Sequence, residues 1–224
     1  MNYIWDQVWA GKKYQNPRSR REKVSYKIEL FRELGGDLRR LRVVADVGCG
    51  AGYFAKRLRS VMSGNVIALD KSPVAIEKAK RLNSDQGIDY HLGDAVSPWP
   101  IRGRLDAVFL IGVIEHITGG GAVLKNAYDS LKPGGELFIC SSSKLSVFHL
   151  EKWFLERLKR WRLGYQKDYE TDELIQLLTT QGFNIKRQYV AGCIRRRSLL
   201  SRLDRFLSRT MGWGRYIFLI AERT

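Results

Sequence analysis

Strand-like and helix-like segments alternate along most of this chain. Short apolar runs predict β-strands, and apolar residues at three- and four-residue spacing predict the helices between them. The predicted strands are 43–47, 66–69, 88–92, 105–111, 136–140, 183–190 and 216–221. The predicted helices of this part are 53–62, 73–83, 121–131 and 171–181. Near-continuous apolar strands separated by helices are typical of a mostly parallel α/β sheet covered on both faces.

Three segments lie outside this alternation. In residues 1–42, apolar positions at helical spacing predict a helix that begins near Pro17 and breaks at Gly35 and Gly36. We therefore assign residues 1–42 to an N-terminal helical segment and 43–224 to the main domain. The positions that predict the N-terminal helix are Val24, Ile28, Phe31, Leu34 and Leu38.

Two long insertions, 141–169 and 192–214, follow strands of the main domain. Since ligands of open α/β sheets bind beyond the carboxyl ends of the strands, both are expected to cover the substrate side as a lid. Each carries an apolar stripe flanked by basic residues, and ordinary packing against the domain is the alternative. The two stripes are Val147, Leu150, Phe154, Leu158 and Trp161, and Leu199, Leu203, Phe206 and Leu207.

The positive charge of the chain is unevenly distributed. The formal net charge is +16, of which residues 43–143 carry only +1, while the preceding 42 residues carry +6 and the last 81 carry +9. An excess on the flanks favours an anionic partner, such as a nucleic acid, an anionic membrane surface or a phosphorylated substrate. A solvated face that only aids solubility is the alternative.

The cysteines and the N-terminus indicate a cytoplasmic protein. Cys49, Cys140 and Cys193 are far apart and odd in number, so they predict neither a disulfide framework nor a metal site. We interpret them as reduced and mostly buried. The first residues lack a basic segment followed by an apolar one, which argues against a secretory signal.

A glycine-rich turn follows the first predicted strand. Residues 48–52 read Gly-Cys-Gly-Ala-Gly and precede a helix, which is a nucleotide-binding arrangement. Tyr53 stands where a dinucleotide fingerprint has its third glycine, which disfavours a pyrophosphate site. Asp46 lies inside an apolar strand, where a carboxylate is costly without a partner. Asp70 ends the next strand, near the ~20-residue offset of a carboxylate that holds ribose hydroxyls.

The segment Asp46-Val-Gly-Cys-Gly-Ala-Gly52 resembles the first motif of the class I S-adenosylmethionine-dependent methyltransferases. Segments 68–72, 93–95, 106–117 and 131–137 resemble the later motifs of that family, in order. The segment 173–183 resembles its small-molecule branch, methyltransferase type 11, which includes quinone-pathway enzymes. The resemblance implies a Rossmann-like, doubly wound, seven-stranded sheet, mostly parallel, whose last strand is antiparallel.

The resemblance also implies a cofactor, S-adenosylmethionine, which leaves as S-adenosylhomocysteine. Asp46 would orient the methionine ammonium or the glycine loop, Asp70 would take both ribose hydroxyls, and Asp94 would face the adenine. The segment from Trp5 to Tyr14 would close over the cofactor, as N-terminal segments do in this family. The implied cofactor-binding residues are Asp46, Gly48, Cys49, Gly50, Gly52, Asp70, Lys71, Asp94, Ala95 and Ile111.

His116 is the candidate catalytic residue. It follows the fourth predicted strand, on the side where the methyl group of the cofactor would sit. An oxygen or acidic-carbon nucleophile must lose a proton, and a neutral histidine near pH 7 suits that task. An amine acceptor needs no such base, and a hydrogen-bonded residue at the start of a helix is the other interpretation of His116.

The basic amphipathic insertions favour a hydrophobic or lipid-linked small acceptor, methylated on oxygen, and contact with an anionic membrane surface. RNA methylation by the basic flanks is one alternative, and a non-catalytic cofactor-binding partner subunit is another. Nucleic acid is less favoured, because Leu110-Ile111-Gly112-Val113 lacks the proline pair of base-amine methyltransferases and no cysteine follows a proline. The acceptor atom and the oligomeric state stay open.

Overall fold

The computed structural model describes residues 3–11, 17–83, 87–193 and 198–224. Its helices are α1 (Tyr3–Ala10), α2 (Pro17–Glu33), α3 (Tyr53–Arg59), α4 (Pro73–Leu82), α5 (Gly121–Ser130), α6 (Val147–Arg157), α7 (Thr171–Thr180) and α8 (Leu199–Thr210). Its strands are β1 (Val43–Val47), β2 (Asn65–Asp70), β3 (Ile88–Leu92), β4 (Leu105–Ile111), β5 (Leu131–Ser142), β6 (Phe183–Ala191) and β7 (Tyr216–Arg223). A 3-10 turn spans Ile114–His116.

The strands form one seven-stranded sheet in the order β3-β2-β1-β4-β5-β7-β6. The pairs from β3 to β5 are parallel, and β7 is antiparallel to both of its neighbours. The strand order reverses between β1 and β4, which is where doubly wound sheets open a ligand crevice. The predicted fold class is confirmed, including the antiparallel last strand.

Two apolar clusters cover the two faces of this sheet. On one face, helices α2, α3 and α4 contribute to a cluster in which the Phe31 ring meets Phe109 and Phe138 edge-on, at centroid distances of 5.2 and 5.3 Å. On the other, α5 and α7 bury Leu124 and Leu178 against β4, β5 and β7. Burial on both faces explains why the central strands β1 and β4 are almost entirely apolar, with Asp46 of β1 and Asp106 of β4 as exceptions.

Three element boundaries differ from the sequence-based ones by more than two residues. Helix α3 ends at Arg59, before the predicted Met62. Strand β5 begins at Leu131, because the predicted turn at 132–135 is a bulge within the ladder, where pairing steps from Leu105–Leu131 to Ala107–Glu136. Helix α6 ends at Arg157, so Leu158 and Trp161 lie beyond it. Helix α1 had no sequence-based counterpart, because residues 1–16 show no clear period.

The second insertion builds α8, which packs on α6 and on β6. The basic run Arg195–Arg197 of that insertion and Tyr14 of the N-terminal segment lie outside the described residues. Within the described ranges, no helix is both long enough and apolar enough to cross a membrane.

Asp106 ties the start of β1 to β4 and β5. One carboxylate oxygen accepts from the Arg42 and Val43 amides at 2.7 and 2.8 Å, and the other accepts from Lys132 Nζ at 2.8 Å. Burial raises the pKa of Asp106, but these hydrogen bonds and the Lys132 charge outweigh it, so the pKa lies below its usual value. The ionised form therefore contributes stability at neutral pH.

We expect Asp106→Asn to lower the free energy of unfolding at neutral pH by about 1–2 kcal/mol. Since the folded-state pKa is depressed, this stabilisation is complete above the unfolded-state pKa of ~3.9 and is lost as the pH falls through the folded-state value. Urea denaturation of both proteins over the acidic range measures the difference, with the exposed Asp89→Asn as control. Equal midpoints at neutral pH would contradict this role.

Candidate functional site

The glycine turn after β1 requires its glycines. Gly48 has a φ of +73°, and a Cβ on it would lie 2.4 Å from Cγ2 of Val113. The Gly48 and Cys49 amides donate to the Leu69 carbonyl at 2.7 and 3.0 Å, which fixes the turn against the end of β2. Gly52 caps α3 with a φ of +74°. The backbone thus passes through the crevice with no side chain in the way.

Asp70 is held at the end of β2 by two backbone amides. The Gly50 amide donates to Oδ2 at 2.8 Å, and the Ser72 amide donates to Oδ1 at 2.9 Å. Burial raises the pKa of Asp70, while these hydrogen bonds and the Lys71 charge oppose the rise. Each carboxylate oxygen keeps a second lone pair, so the side chain can accept two further hydroxyl groups.

Asp46 is buried in β1, and its Oδ2 has no hydrogen-bond partner among the described residues. Burial raises its pKa to about 7, a hydrogen bond from the Ala55 amide opposes the rise, and the Asp70 charge adds to it. An unpaired buried carboxylate oxygen is costly. A cationic ligand beside it would favour the ionised form and remove that cost.

A cavity of about 340 Å³ opens at the carboxyl ends of β1 to β5. Of the residues that the sequence assigned to the cofactor, those lining it are Asp46, Gly48, Cys49, Asp70, Lys71, Asp94, Ala95 and Ile111. Gly50 and Gly52 are not part of the lining. Gly50 lies beneath Trp9, where an added Cβ would be 2.1 Å from Cζ2, and Gly52 lies against Tyr90 and Asn83.

Helix α1 covers this cavity. Asp6 accepts from the Ser72 hydroxyl at 2.5 Å, and the Trp9 carbonyl accepts from Lys78 Nζ at 3.0 Å, which holds α1 on α4. The rings of Trp5 and Trp9 line the cavity. The sequence predicted that this segment closes over the site, but not that it is helical. The tryptophans at four-residue spacing were the available signal.

We expect Gly50→Ala to weaken cofactor binding by about tenfold or more, because its Cβ would force Trp9 and α1 away. Gly103→Ala is a matched control. Gly103 has a φ of +58°, close to the +54° of Gly50, but nothing would lie within 4 Å of a Cβ added to it. Both variants carry similar backbone strain, so the clash is what distinguishes them. Equal affinities of the two variants, measured by calorimetry, would show that α1 does not contribute.

His116 lies in the wall of the cavity, and a hydrogen bond fixes the tautomer of its imidazole ring. Its Nδ1 is 2.9 Å from the Tyr165 carbonyl oxygen, which can only accept, so Nδ1 carries the proton. In the neutral ring, Nε2 is then the basic nitrogen. The Trp5 ring meets the imidazole edge-on at a centroid distance of 4.7 Å and limits its rotation. This geometry suits a general base, and the catalytic role stays a prediction.

The remaining wall of the cavity contains charged residues that the sequence analysis missed. Glu115 is buried, accepts from the Ser141 and Ser142 hydroxyls at 3.3 Å each, and has a pKa raised by burial. Lys27 of α2 also lines the cavity, and its charge opposes the rise in the pKa of Glu115. The sequence feature that could have indicated Lys27 is its position next to Ile28, which belongs to the apolar stripe of α2. Arg215 lies over the Phe148 ring at 4.2 Å.

The two insertions contribute unequally to the cavity. The first provides Ser142, Trp161, Leu163 and Gln166 to the lining. No described residue of 192–214 lines it, although Arg215 and Tyr216 follow directly. The lid role therefore has geometric support only for the first insertion.

Residues 45–139, which hold the glycine turn, the three aspartates assigned to the cofactor and His116, match the family model of a methyltransferase domain. The match covers less than half of the chain, and together with the strand order it supports a class I S-adenosylmethionine-dependent methyltransferase. S-adenosylmethionine is the cofactor of this family, and the residues present fit it. The unpaired Asp46 Oδ2 matches the methionine ammonium, and the free lone pairs of Asp70 match the ribose hydroxyls.

The chain has relatives that differ in their acceptors, as their names state. A ubiquinone biosynthesis O-methyltransferase of Pseudomonas aeruginosa is 24% identical over 151 residues, covering 64% of this chain and 65% of that protein. A tRNA U34 carboxymethyltransferase of Shewanella sp. (strain ANA-3) is 33% identical over 101 residues, covering 44% and 31%. The matches span less than two thirds of the length of these relatives.

The fold of the methyltransferase is also shared over its full length. A solved S-adenosylmethionine-dependent methyltransferase from Thermotoga maritima superposes with a TM-score of 0.73 at 18% identity. The superposition covers 99% of both chains. At this identity the likeness establishes the fold alone.

Proposed function

We propose that this protein transfers a methyl group from S-adenosylmethionine to an oxygen of a small hydrophobic or lipid-linked acceptor. The observation that carries the proposal is one cavity lined both by the cofactor-type aspartates and by His116 with a basic Nε2. Trp5, Trp161 and Leu163 add apolar walls to the same cavity. Mostly apolar lining with a few oriented polar groups is typical of small-molecule sites.

Different residues bind the cofactor, remove the proton of the acceptor and exclude water. Bound S-adenosylmethionine supplies an activated methyl group. Asp46 would hold the methionine ammonium of the cofactor, and Asp70 would hold its ribose hydroxyls. His116 Nε2 takes the proton of the acceptor hydroxyl, and the Tyr165 carbonyl keeps the ring in the required tautomer. Helix α1 excludes water and aligns the reactants.

Positive charge near the acceptor supports oxygen as the nucleophile. Lys27 and Arg215 both line the cavity. A hydroxyl that loses its proton becomes an oxyanion, and nearby cations stabilise the charge that develops. A neutral amine acceptor gains nothing from such cations, because positive charge develops on its nitrogen as the methyl group is transferred.

RNA is the second candidate acceptor, supported by the tRNA-modifying relative and by the basic flanks. The deciding experiment incubates the protein with methyl-labelled S-adenosylmethionine and a lysate of its source, then partitions the products. Label in the organic phase supports the proposal, and nuclease-released label in the aqueous phase overturns it in favour of RNA. Absence of any transfer, with the cofactor bound, would instead indicate a non-catalytic subunit.

A further inference from the structure

Helix α8 has its polar face buried and its apolar face exposed. Ser201 and Asp204 are fully buried. Leu199 is 81% exposed, Leu203 is 45% exposed and Phe206 is 62% exposed. A helix on the surface of a domain normally buries its apolar face, so this arrangement is inverted.

Buried hydrogen bonds fix this orientation. Asp204 Oδ1 accepts from the Ser146 hydroxyl at 2.8 Å, and Asp204 Oδ2 accepts from the Cys193 amide at 2.6 Å. Gly192 allows the close approach, since a Cβ there would be 2.7 Å from the Arg205 Cα. Rotation of α8 to bury its leucines would break both contacts of the Asp204 carboxylate and leave the Cys193 amide without this acceptor. The outward apolar face is therefore built into the packing.

Helix α6, which packs on α8, buries a charged side chain beside Phe148 and also exposes apolar side chains. Lys152 is buried, and its Nζ donates to Asp168 Oδ2 at 3.2 Å and to the Gln166 carbonyl. Trp153 and Phe154 are 54% and 58% exposed. The two helices contact each other, and each exposes apolar side chains. These exposed residues are here called the α6–α8 face and are Leu150, Trp153, Phe154, Leu199, Leu203 and Phe206.

Basic residues surround the α6–α8 face. The exposed cations on and after the two helices are Arg157, Lys159, Arg160, Arg162, Arg202 and Arg209. Residues 144–224 carry a net charge of +9. Leucine and aromatic side chains flanked by arginine and lysine are typical of helices that lie in the interface of an anionic bilayer. A nucleic-acid surface would not require exposed leucines.

We propose that the α6–α8 face docks this protein on the surface of an anionic lipid bilayer, with its leucine and aromatic side chains inserted among the headgroups. Trp161 and Leu163 follow α6 and Arg215 follows α8, and all three line the cavity. Docking would therefore bring this side of the cavity close to the lipid. The proposal concerns binding alone and does not depend on the identity of the acceptor.

The test is co-sedimentation of the full chain with vesicles that contain no acceptor. We expect binding to mixed phosphatidylcholine and phosphatidylglycerol vesicles, weaker binding to phosphatidylcholine alone, and loss of binding as salt screens the charges. The double variant Leu199→Ser/Phe206→Ser should bind at least about tenfold more weakly, because two apolar side chains no longer leave water. Leu82→Ser/Leu92→Ser is the matched control, since both leucines are exposed on α4 and β3.

Two results would overturn this proposal. One is equal vesicle binding by the wild type and the Leu199→Ser/Phe206→Ser variant. The other is no vesicle binding by either protein; a dimer, seen by light scattering, that this variant converts to a monomer would then assign the face to self-association. Unchanged thermal unfolding and cofactor affinity of the variant confirm that it remains folded. Because cofactor affinity is measured separately, failure of docking is distinguishable from failure of the proposed function.

Discussion

Alanine in place of Asp70 is expected to weaken S-adenosylmethionine binding by about a hundredfold or more. The carboxylate offers charge-assisted hydrogen bonds to two ribose hydroxyls, each of which contributes about 1.5–3 kcal/mol. The same side chain holds the Gly50 and Ser72 amides, so its removal also loosens the glycine turn and the start of α4. The lost hydrogen bonds to the ribose and the loosened glycine turn both weaken binding of the cofactor, so their effects add.

Calorimetric titration of the Asp70→Ala variant measures this effect, and Asp89→Ala is its control. Asp89 lies on the neighbouring strand β3, pairs with His91 at 2.7 Å, and is exposed outside the cavity. Asp70→Asn should bind better than Asp70→Ala, because its amide oxygen still accepts one backbone hydrogen bond. Wild-type affinity in Asp70→Ala would refute the assignment of this residue to the ribose.

Alanine in place of His116 is expected to lower turnover by about a hundredfold or more while cofactor affinity holds. The acceptor hydroxyl then lacks a base, whereas the cofactor-binding aspartates are untouched. The rate deficit should shrink at high pH, where hydroxide or the ionised acceptor replaces the missing base. A structural role alone would instead lower activity equally at every pH.

Transfer of the labelled methyl group into the organic phase measures this rate, and His91→Ala supplies the histidine control. His91 lies on β3, outside the cavity, and pairs with an exposed aspartate. If His116→Ala retained wild-type turnover, an acceptor that needs no base would be indicated, such as a neutral amine. That outcome would remove oxygen methylation from the proposed function and leave methyl transfer intact.

The sheet and the cofactor end of the site were predictable because they depend on local sequence. Strand runs such as 105–111 and the turn at 48–52 have patterns that only one backbone geometry satisfies. Their order along the chain then identified the family. The position of Asp70 followed from the end of its strand, since carboxyl ends of parallel strands meet at one edge of the sheet, whereas the role of Asp46 inside β1 was implied by the family resemblance.

The acceptor end was less predictable because distant segments build it. Lys27, Glu115 and Arg215 meet only after the N-terminal helix, the turn after β4 and the last strand have packed together. The inverted orientation of α8 could not be predicted either, because it depends on contacts with residues outside the helix. Its apolar stripe was compatible with a lid, a membrane-facing helix or ordinary packing against the domain, and only the buried contacts of Asp204 with Ser146 and Cys193 turn it outward.

The cavity is expected to take S-adenosylmethionine and not a nucleotide with a pyrophosphate. Calorimetric titration of the wild-type protein with S-adenosylmethionine, S-adenosylhomocysteine, NAD and ATP tests it most directly. We predict that the first two bind, one molecule per chain, and that NAD and ATP do not, because Tyr53 occupies the place of the glycine that a pyrophosphate requires. Binding of NAD or ATP in preference to S-adenosylmethionine, or of none of the four, would contradict the account.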